Sequence, residues 1–498
     1  MQKKPDALLK SLYQLIIARL DGDKIRSEEY RNRIISLVRK GIGGFILFGG
    51  ERDEIIVFID ALQSISEFPL FIASDIERGV GQQIIGMTHF PCAMAIASAV
   101  NKNTKEDVDM FDNIIRAVAE EAKYIGINMP LIPVLDVNQN PDNPIICTRA
   151  FSDSPETVAW FGKRLIDILQ MEGLICCAKH FPGHGDTEVD SHIALPVISK
   201  SLDDLQKTDL LPFKNAIENN VDAIMVGHLS VPAVDSMPSS ISARFINGLL
   251  KKELGYEGLI MTDALNMNAL DDFGNIPARC LNAGINILLH PKDAGQAVDD
   301  ILKALESGEI DKDTISAANG YILKAKKKIP HIKKPAIDPA ANDLLSKRVI
   351  KNSIALIKNE SILPLTDFKN CSLIFAGDRG FFESSALRRY FKNSRHISDD
   401  ADKLQETVVF AVFSSVSAWR GSSGIADSQK QKIRELLETA KKSVVISFGS
   451  PYILRHFKNA DALIAAYDPA EYYQETVAHL LMGKEQFKGH LPVRLYAV

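Results

Sequence analysis

The stretch "LICCAKHFPGHGDTEVDSH", residues 174–192, changes character part-way along. Five apolar residues lead into Lys179 and His180, and Pro182, Gly183 and Gly185 follow at once. Proline and glycine placed so closely break a helix. A short apolar run bounded by such a break reads as a strand buried on both faces, as in a parallel sheet. The rest reads as a polar loop carrying His184, Asp186, Glu188, Asp190 and His192.

The same unit recurs in both directions. Upstream lie "QLIIARL" (14–20), "GGFILF" (43–48), "LFIASD" (70–75) and "MPLIPVLDV" (129–137). Downstream lie "DAIMVGH" (222–228), "GLIMTD" (258–263) and "GINILLH" (284–290). Between them run helical patterns such as "SEEYRNRIISLVRKG", "NIIRAVAEEAKYIG", "SPETVAWFGKRLIDILQMEG" and "LQKTDLLPFKNAIENN". Several stop at a glycine, a common helix end. Eight strand–helix units in about 300 residues predict an α/β fold, a (β/α)8 TIM-type barrel. The alternative is an open doubly wound sheet, which eight parallel units would make unusually wide. The strand ends are polar: Asp75, Asp136, Lys179 with His180, His228, Asp263 and His290. Any one alone reads equally well as a strand terminator facing water. In a barrel all strand C-termini open onto one face, where active sites sit, so the six are expected to converge.

The pattern stops near residue 328. "KAKKKIPHIKKPAIDPAAN" carries six lysines and three prolines and reads as a linker with a solvated basic face. Beyond it, "NSIALIKN", "CSLIFAG", "TVVFAVF", "KSVVISFG" and "DALIAAY" are again buried-type strands. The predicted organisation is a catalytic barrel, 1–328, a linker, 329–345, and a smaller C-terminal α/β sandwich domain, 346–498. The 498 residues are 46% hydrophobic and 24% charged, globular averages that allow sizeable cores. A net charge of −5 argues against nucleic acid as a partner. No apolar run reaches 18 residues, so no membrane span is expected. The N-terminal apolar run is broken by Lys10, Gln14 and Arg19 with no small-residue cleavage site after it, and reads as mature protein. The six cysteines lack zinc-type spacing and suit buried, reduced thiols in a cytoplasmic protein. Oligomeric state is left open.

Three chemistries compete for the opening stretch. His180 and His184 are four apart, but Pro182 and Gly183 deny them a helix face. A loop metal site with Asp186, Asp190 and His192 stays open on composition; the reading adopted has no metal and no cofactor. Asp190 and His192 are two apart, so in an extended segment they lie on one side and can meet. A carboxylate beside an imidazole fixes its tautomer, and a pKa of about 6.5 lets it lend and retrieve a proton near neutrality. The plain alternative is a surface Asp-x-His turn. Asp263, at the end of "GLIMTD", is a nucleophile candidate, because a buried strand tip disfavours a carboxylate that is neither paired nor used. The plain alternative there is an N-cap for the helix that follows. "GIGGF" (41–45) precedes a strand, the wrong order for a dinucleotide loop, and the serine-hydrolase G-x-S-x-G is absent.

Together "SDIERG", "IPVLDVNQNPDNPIICTRAFS", "KHFPGHGDTEVDSH" and "GLIMTDALNM" resemble glycoside hydrolase family 3, in its β-N-acetylglucosaminidase (β-N-acetylhexosaminidase) branch. The resemblance spans nearly the whole chain; "RVIKNSIALIKNESILPL" and "GHLPVRL" look like that family's C-terminal domain. It implies a nucleophile at Asp263, an acid/base at His192 and its partner carboxylate at Asp190. It implies that Asp75, Arg149, Lys179 and His180 hold the hydroxyls of the sugar being cleaved off. Most retaining glycosidases place two carboxylates about 5–5.5 Å apart; this branch substitutes the His–Asp pair for the acid. A C-terminal glutamate, Glu383 or Glu435, is then unnecessary. The family often writes D-x-E-G-G-R-V-x-R at the third strand end. Here "DIERGVGQQ" puts Arg78, Val80 and Gln83 where Gly, Arg and Arg are usual. The activity implied is a retaining exo-β-N-acetylhexosaminidase on terminal β-linked N-acetylglucosamine of peptidoglycan fragments or chitooligosaccharides. The alternatives are a β-glucosidase or β-xylosidase, a phosphorylase, and a catalytically weak sugar-binding homologue. Turnover of aryl glucoside against aryl N-acetylglucosaminide, and products formed in phosphate buffer, separate them.

Overall fold

The computed structural model describes residues 7–188, 195–329, 333–399, 404–414 and 423–495. The chain divides into two compact units. The first comprises Met1–Phe90, Asp112–Val137 and Pro155–Asn342; the second Pro91–Phe111, Asn138–Ser154 and Asp343–Val498.

The first unit is an α/β structure on a curled parallel sheet. Its strands are β1 (Ile16–Asp21), β2 (Gly44–Phe48), β3 (Phe71–Ser74), β4 (Met129–Pro130), β5 (Cys177–Phe181), β6 (Ala223–Val226), β7 (Leu259–Thr262) and β8 (Leu288–Leu289). Five pair in the order β4-β3-β2-β1-β8 and three in the order β5-β6-β7. Every pairing is parallel. Single parallel bridges, Val134 with Lys179 and Met261 with Ile287, link the two ladders. β3, β6 and β7 are buried along their whole length, which is why their sequences are apolar without alternation. The run 129–137 was expected as one strand. It pairs regularly over two residues only, because Pro130 and Pro133 have no N–H to give to a ladder.

The helices follow their patterns. Glu28–Lys40 is capped by Ser27, whose side chain accepts from the Tyr30 N–H, and stops at Gly41 with φ 91°. It buries Tyr30, Ile34 and Val38, one stripe at a spacing of four. Five of the six lysines of the basic run are exposed, as expected of a solvated face, and Lys326 is the exception. Lys326 is buried, donates to Gln14 Oε1 at 2.8 Å and lies 5.0 Å from the Phe71 ring centre. Lys328 pairs with Asp222 at 2.6 Å and Lys334 with Asp60 at 2.7 Å. Among the described residues no helix is long and apolar enough to cross a membrane.

Among its described residues the second unit holds six strands: β9 (Ala355–Asn359), β10 (Cys371–Ala376), β11 (Asn393–His396), β12 (Thr407–Phe413), β13 (Lys442–Phe448) and β14 (Ala462–Ala465). Their order is β11-β10-β12-β13-β14-β9, and only β9 runs antiparallel. Alternate residues of β12 enter different cores: Val408, Phe410 and Val412 one, Val409, Ala411 and Phe413 the other. Met94, Ala95 and Cys147 pack in the first of these clusters, which is how two excursions from the N-terminal half join this unit. β11, reading "NSRH", gave no apolar signal because it is an edge strand.

Candidate active site

The strand ends of the first unit bring four of the predicted residues into one electrostatic neighbourhood. Lys179, in β5, is 1% exposed, and its ammonium lies 2.6 Å from Asp75 Oδ1 and 2.8 Å from Glu77 Oε1. One cation between two carboxylates leaves the trio a net negative charge and acceptor oxygens to spare. Such groups hold sugar hydroxyls well. Glu77 was not singled out from sequence, although its spacing of two from Asp75 was a usable signal.

His180, beside Lys179, is oriented by Asp136 after β4. The His180 Nδ1–H donates to Asp136 Oδ2 at 2.7 Å. The other oxygen accepts the N–H of His184 at 2.7 Å and of His180 at 3.3 Å. Burial works to raise the Asp136 carboxyl, but the two imidazoles and these bonds outweigh it and hold it below the usual range. His184 is itself braced. The Thr187 hydroxyl donates to the His184 carbonyl at 3.1 Å and so accepts from its Nδ1–H at 2.8 Å. Burial, then the neighbouring His180, push the His184 pKa down to about 4, so this ring is neutral near pH 7.

Asp263 follows β7 and is 8% exposed. Its Oδ1 accepts the Ala264 N–H at 2.7 Å, while its own N–H donates to the Val226 carbonyl at 2.9 Å. Burial again opposes ionisation, and His180, His228, the Ala264 N–H and Lys179 together overcome it, leaving the pKa lowered. The N-cap alternative falls away: the next helical turn starts at Asn268, capped at Met267. His228, after β6, donates from Nε2 to the Ala264 carbonyl at 3.3 Å, with Ser240 Oγ on its Nδ1 at 2.8 Å. His290, after β8, stands 5.9 Å from Phe48 with φ 47°. Burial drives its pKa down to about 4.

Comparison with known proteins identifies the family. The description "Glycosyl hydrolase family 3 N terminal domain" fits residues 10–325, and "Glycosyl hydrolase family 3 C-terminal domain" fits 354–498. The chain belongs to glycosyl hydrolase family 3. It is 30% identical to Beta-hexosaminidase A of Pseudoalteromonas piscicida, over 91% of this chain and 89% of that one. It is 25% identical to Beta-N-acetylglucosaminidase/beta-glucosidase of Cellulomonas fimi, over 91% and 88%. Among solved structures it resembles a family 3 beta-N-acetylglucosaminidase from Paenibacillus sp. str. FPU-7. That match has a TM-score of 0.83 and 26% identity, over 98% of this chain and 99% of that one.

The remaining predicted residues of this family 3 chain are placed differently. Asp190 and His192 lie outside the described residues. Arg149 belongs to the second unit, in the turn Cys147–Arg149, and donates to the Ile145 carbonyl at 3.2 Å. The departure at the third strand end has a structural use. Gln83, standing where the family often has arginine, donates to the Asp75 carbonyl at 3.1 Å, and Gln82 accepts the Arg78 N–H at 2.8 Å. The turn that carries Asp75 and Glu77 is therefore braced by amides. All six cysteines are buried and none forms a disulfide.

Proposed function

We propose that this chain is a retaining exo-β-N-acetylhexosaminidase that removes terminal β-linked N-acetylglucosamine from peptidoglycan fragments or chitooligosaccharides. The observation that carries the proposal is Asp263. It is a nearly buried carboxylate at a strand tip, oriented by one backbone N–H and held below the usual carboxylate range by that N–H with His180, His228 and Lys179. A carboxylate so held is an acceptor for an electrophilic carbon.

In the proposed reaction Asp263 attacks the anomeric carbon as the bond to the leaving oxygen breaks. Protonated His192, paired with Asp190, gives its proton to that oxygen. Water then attacks the glycosyl ester and surrenders a proton to His192, and Asp263 departs as carboxylate. Asp75, Arg149, Lys179 and His180 hold the sugar's hydroxyls, and no metal or cofactor takes part. The curled sheet is read as a closed (β/α)8 barrel, supported by the two single bridges between its ladders. The second unit is read as an α/β sandwich, supported by cores on both faces of its sheet. Domain boundaries at 328 and 346 are supported by family matches that end at 325 and resume at 354. A cytoplasmic place in peptidoglycan recycling completes the proposal.

Asp263→Asn should lower turnover of an aryl β-N-acetylglucosaminide by about 10⁴-fold or more; normal turnover would refute the assignment. A β-glucosidase is the second reading, favoured by the double name of the Cellulomonas fimi relative. Faster cleavage of aryl glucoside than of aryl N-acetylglucosaminide would select it. Sugar 1-phosphate formed in phosphate buffer would select a phosphorylase instead.

A further inference from the structure

The turn that carries Asp263 is gripped from both neighbouring strands. The paired register of β6 with β7 ends at Val226 and Thr262. Just past it the Asp263 N–H donates to the Val226 carbonyl at 2.9 Å. On the β8 side the hold is by the Leu289 backbone. The Leu265 N–H donates to its carbonyl at 2.9 Å, and its own N–H donates to Thr262 Oγ1 at 3.0 Å. On the β6 side the next hold is a side chain. His228, two residues past Val226, places Nε2 3.3 Å from the Ala264 carbonyl oxygen. A carbonyl only accepts, so Nε2 carries the proton and donates it. The Ala264 N–H is the group that orients Asp263 Oδ1, at 2.7 Å. Ala264 is thus tied at both backbone polar groups, to His228 by its carbonyl and to Asp263 by its N–H. Only the φ and ψ of one residue separate the two.

His228 is itself seated. Its Nδ1 lies 2.8 Å from Ser240 Oγ. The neighbouring Ser239 hydroxyl donates to the Gly227 carbonyl at 2.6 Å and accepts the Leu229 N–H at 3.2 Å. The helical turn Ser239–Ile241 therefore holds the residues on either side of His228 as well as its ring. His228, Ser239 and Ser240 are all buried. A buried polar network whose bonds are made rigidifies what it touches. This one ends on the turn that bears Asp263.

We propose that His228 is a positioning residue for the nucleophile: seated by Ser240, it fixes the Ala264 carbonyl and, through Ala264, the aim of the Asp263 carboxylate. The proposal rests on the reading of Asp263 as the nucleophile. Attack needs the reacting atoms about 3–3.5 Å apart and aligned, and a misplacement of about 1 Å can cost about 10²-fold. A carboxylate oriented by one backbone N–H keeps that aim only while the N–H keeps its own.

The test follows covalent trapping by 5-fluoro-N-acetylglucosaminyl fluoride and reads both the rate constant and the final number of glycosyl groups per chain. His228→Leu should slow trapping by about 10- to 100-fold and still reach one group per chain. Its kcat/KM on an aryl β-N-acetylglucosaminide should fall by a similar factor, while competitive inhibition by N-acetylglucosamine changes less than about threefold. His228→Gln should recover most of the loss, because its amide N–H can stand where Nε2–H stands. Ser240→Ala should slow trapping by a smaller factor, and carries the test if His228→Leu fails to fold. Unchanged trapping in the folded variants would overturn the proposal. So would fewer groups per chain formed at the parent rate, the mark of a merely structural residue, or a His228→Gln as slow as His228→Leu. Mapping the label on the parent chain separates the failures. A label away from Asp263, or full turnover with no adduct, removes the nucleophile reading and this proposal with it. A label on Asp263 with no slowing in the variants removes only the role of His228.

Discussion

His184 shows how much one ring can report. It is buried, its Nδ1–H is spent on Thr187, and its pKa is pushed down to about 4 from an ordinary 6.5. Between those values the unfolded chain binds a proton that the folded chain does not. Stability from this site is therefore complete above about pH 6.5 and is lost as pH falls toward 4, by about 3 kcal/mol in all. His290, with a pKa also near 4, adds to the same slope. Asp136 acts lower: its folded pKa is depressed below 3.8, so its share persists until the pH passes beneath the carboxylate range. The expected outcome for His184→Asn, whose amide can replace the Nδ1–H, is a flatter fall of Tm between pH 6.5 and 4.5. A slope equal to that of the parent chain would contradict the burial account.

At the scale of elements, legibility followed burial. β3, β6 and β7 were plain because every residue in them is buried and all but Ser74 and Thr262 are apolar. β11 was missed because an edge strand can be polar, and the fourth strand was overextended because prolines interrupt its ladder. The strand-end residues Asp75, Lys179, His180 and Asp263 were legible because polar groups at the tips of apolar runs stand out. Glu77 was not, because it sits beyond a tip. Lys326 was misread because six lysines in a row of basic residues look solvated, and nothing local marks the one that turns inward. Its burial lowers the amine to about 7 from 10.5. Between those values the unfolded chain holds the extra proton, so the stability from this site rises with pH, by up to about 5 kcal/mol. Lys326→Met should be more stable than the parent at pH 7, with the gap shrinking by about 2–3 kcal/mol at pH 9 in denaturant titrations. A constant gap would mean that the amine is solvated after all.

Across the whole molecule, two units each bury their own thiols. Burial raises Cys177 to about 12 and Cys147 and Cys371 to about 11, far from the reactive thiolate range. A disulfide reagent should therefore label the native chain hardly at all, and should reach all six cysteines at the rate of unfolding. Rapid labelling of the native chain would contradict that packing. The division into units also bears on the site. Asp75, Lys179, His180 and Asp263 belong to the first, and Arg149 to the second. The central claim, however, rests on the first unit alone. It is tested most directly by trapping the chain with 5-fluoro-N-acetylglucosaminyl fluoride and mapping the modified peptide by mass spectrometry. The account predicts one added glycosyl group on the peptide containing Asp263, absent from Asp263→Asn. A label on another residue, or full turnover without any covalent adduct, would contradict it.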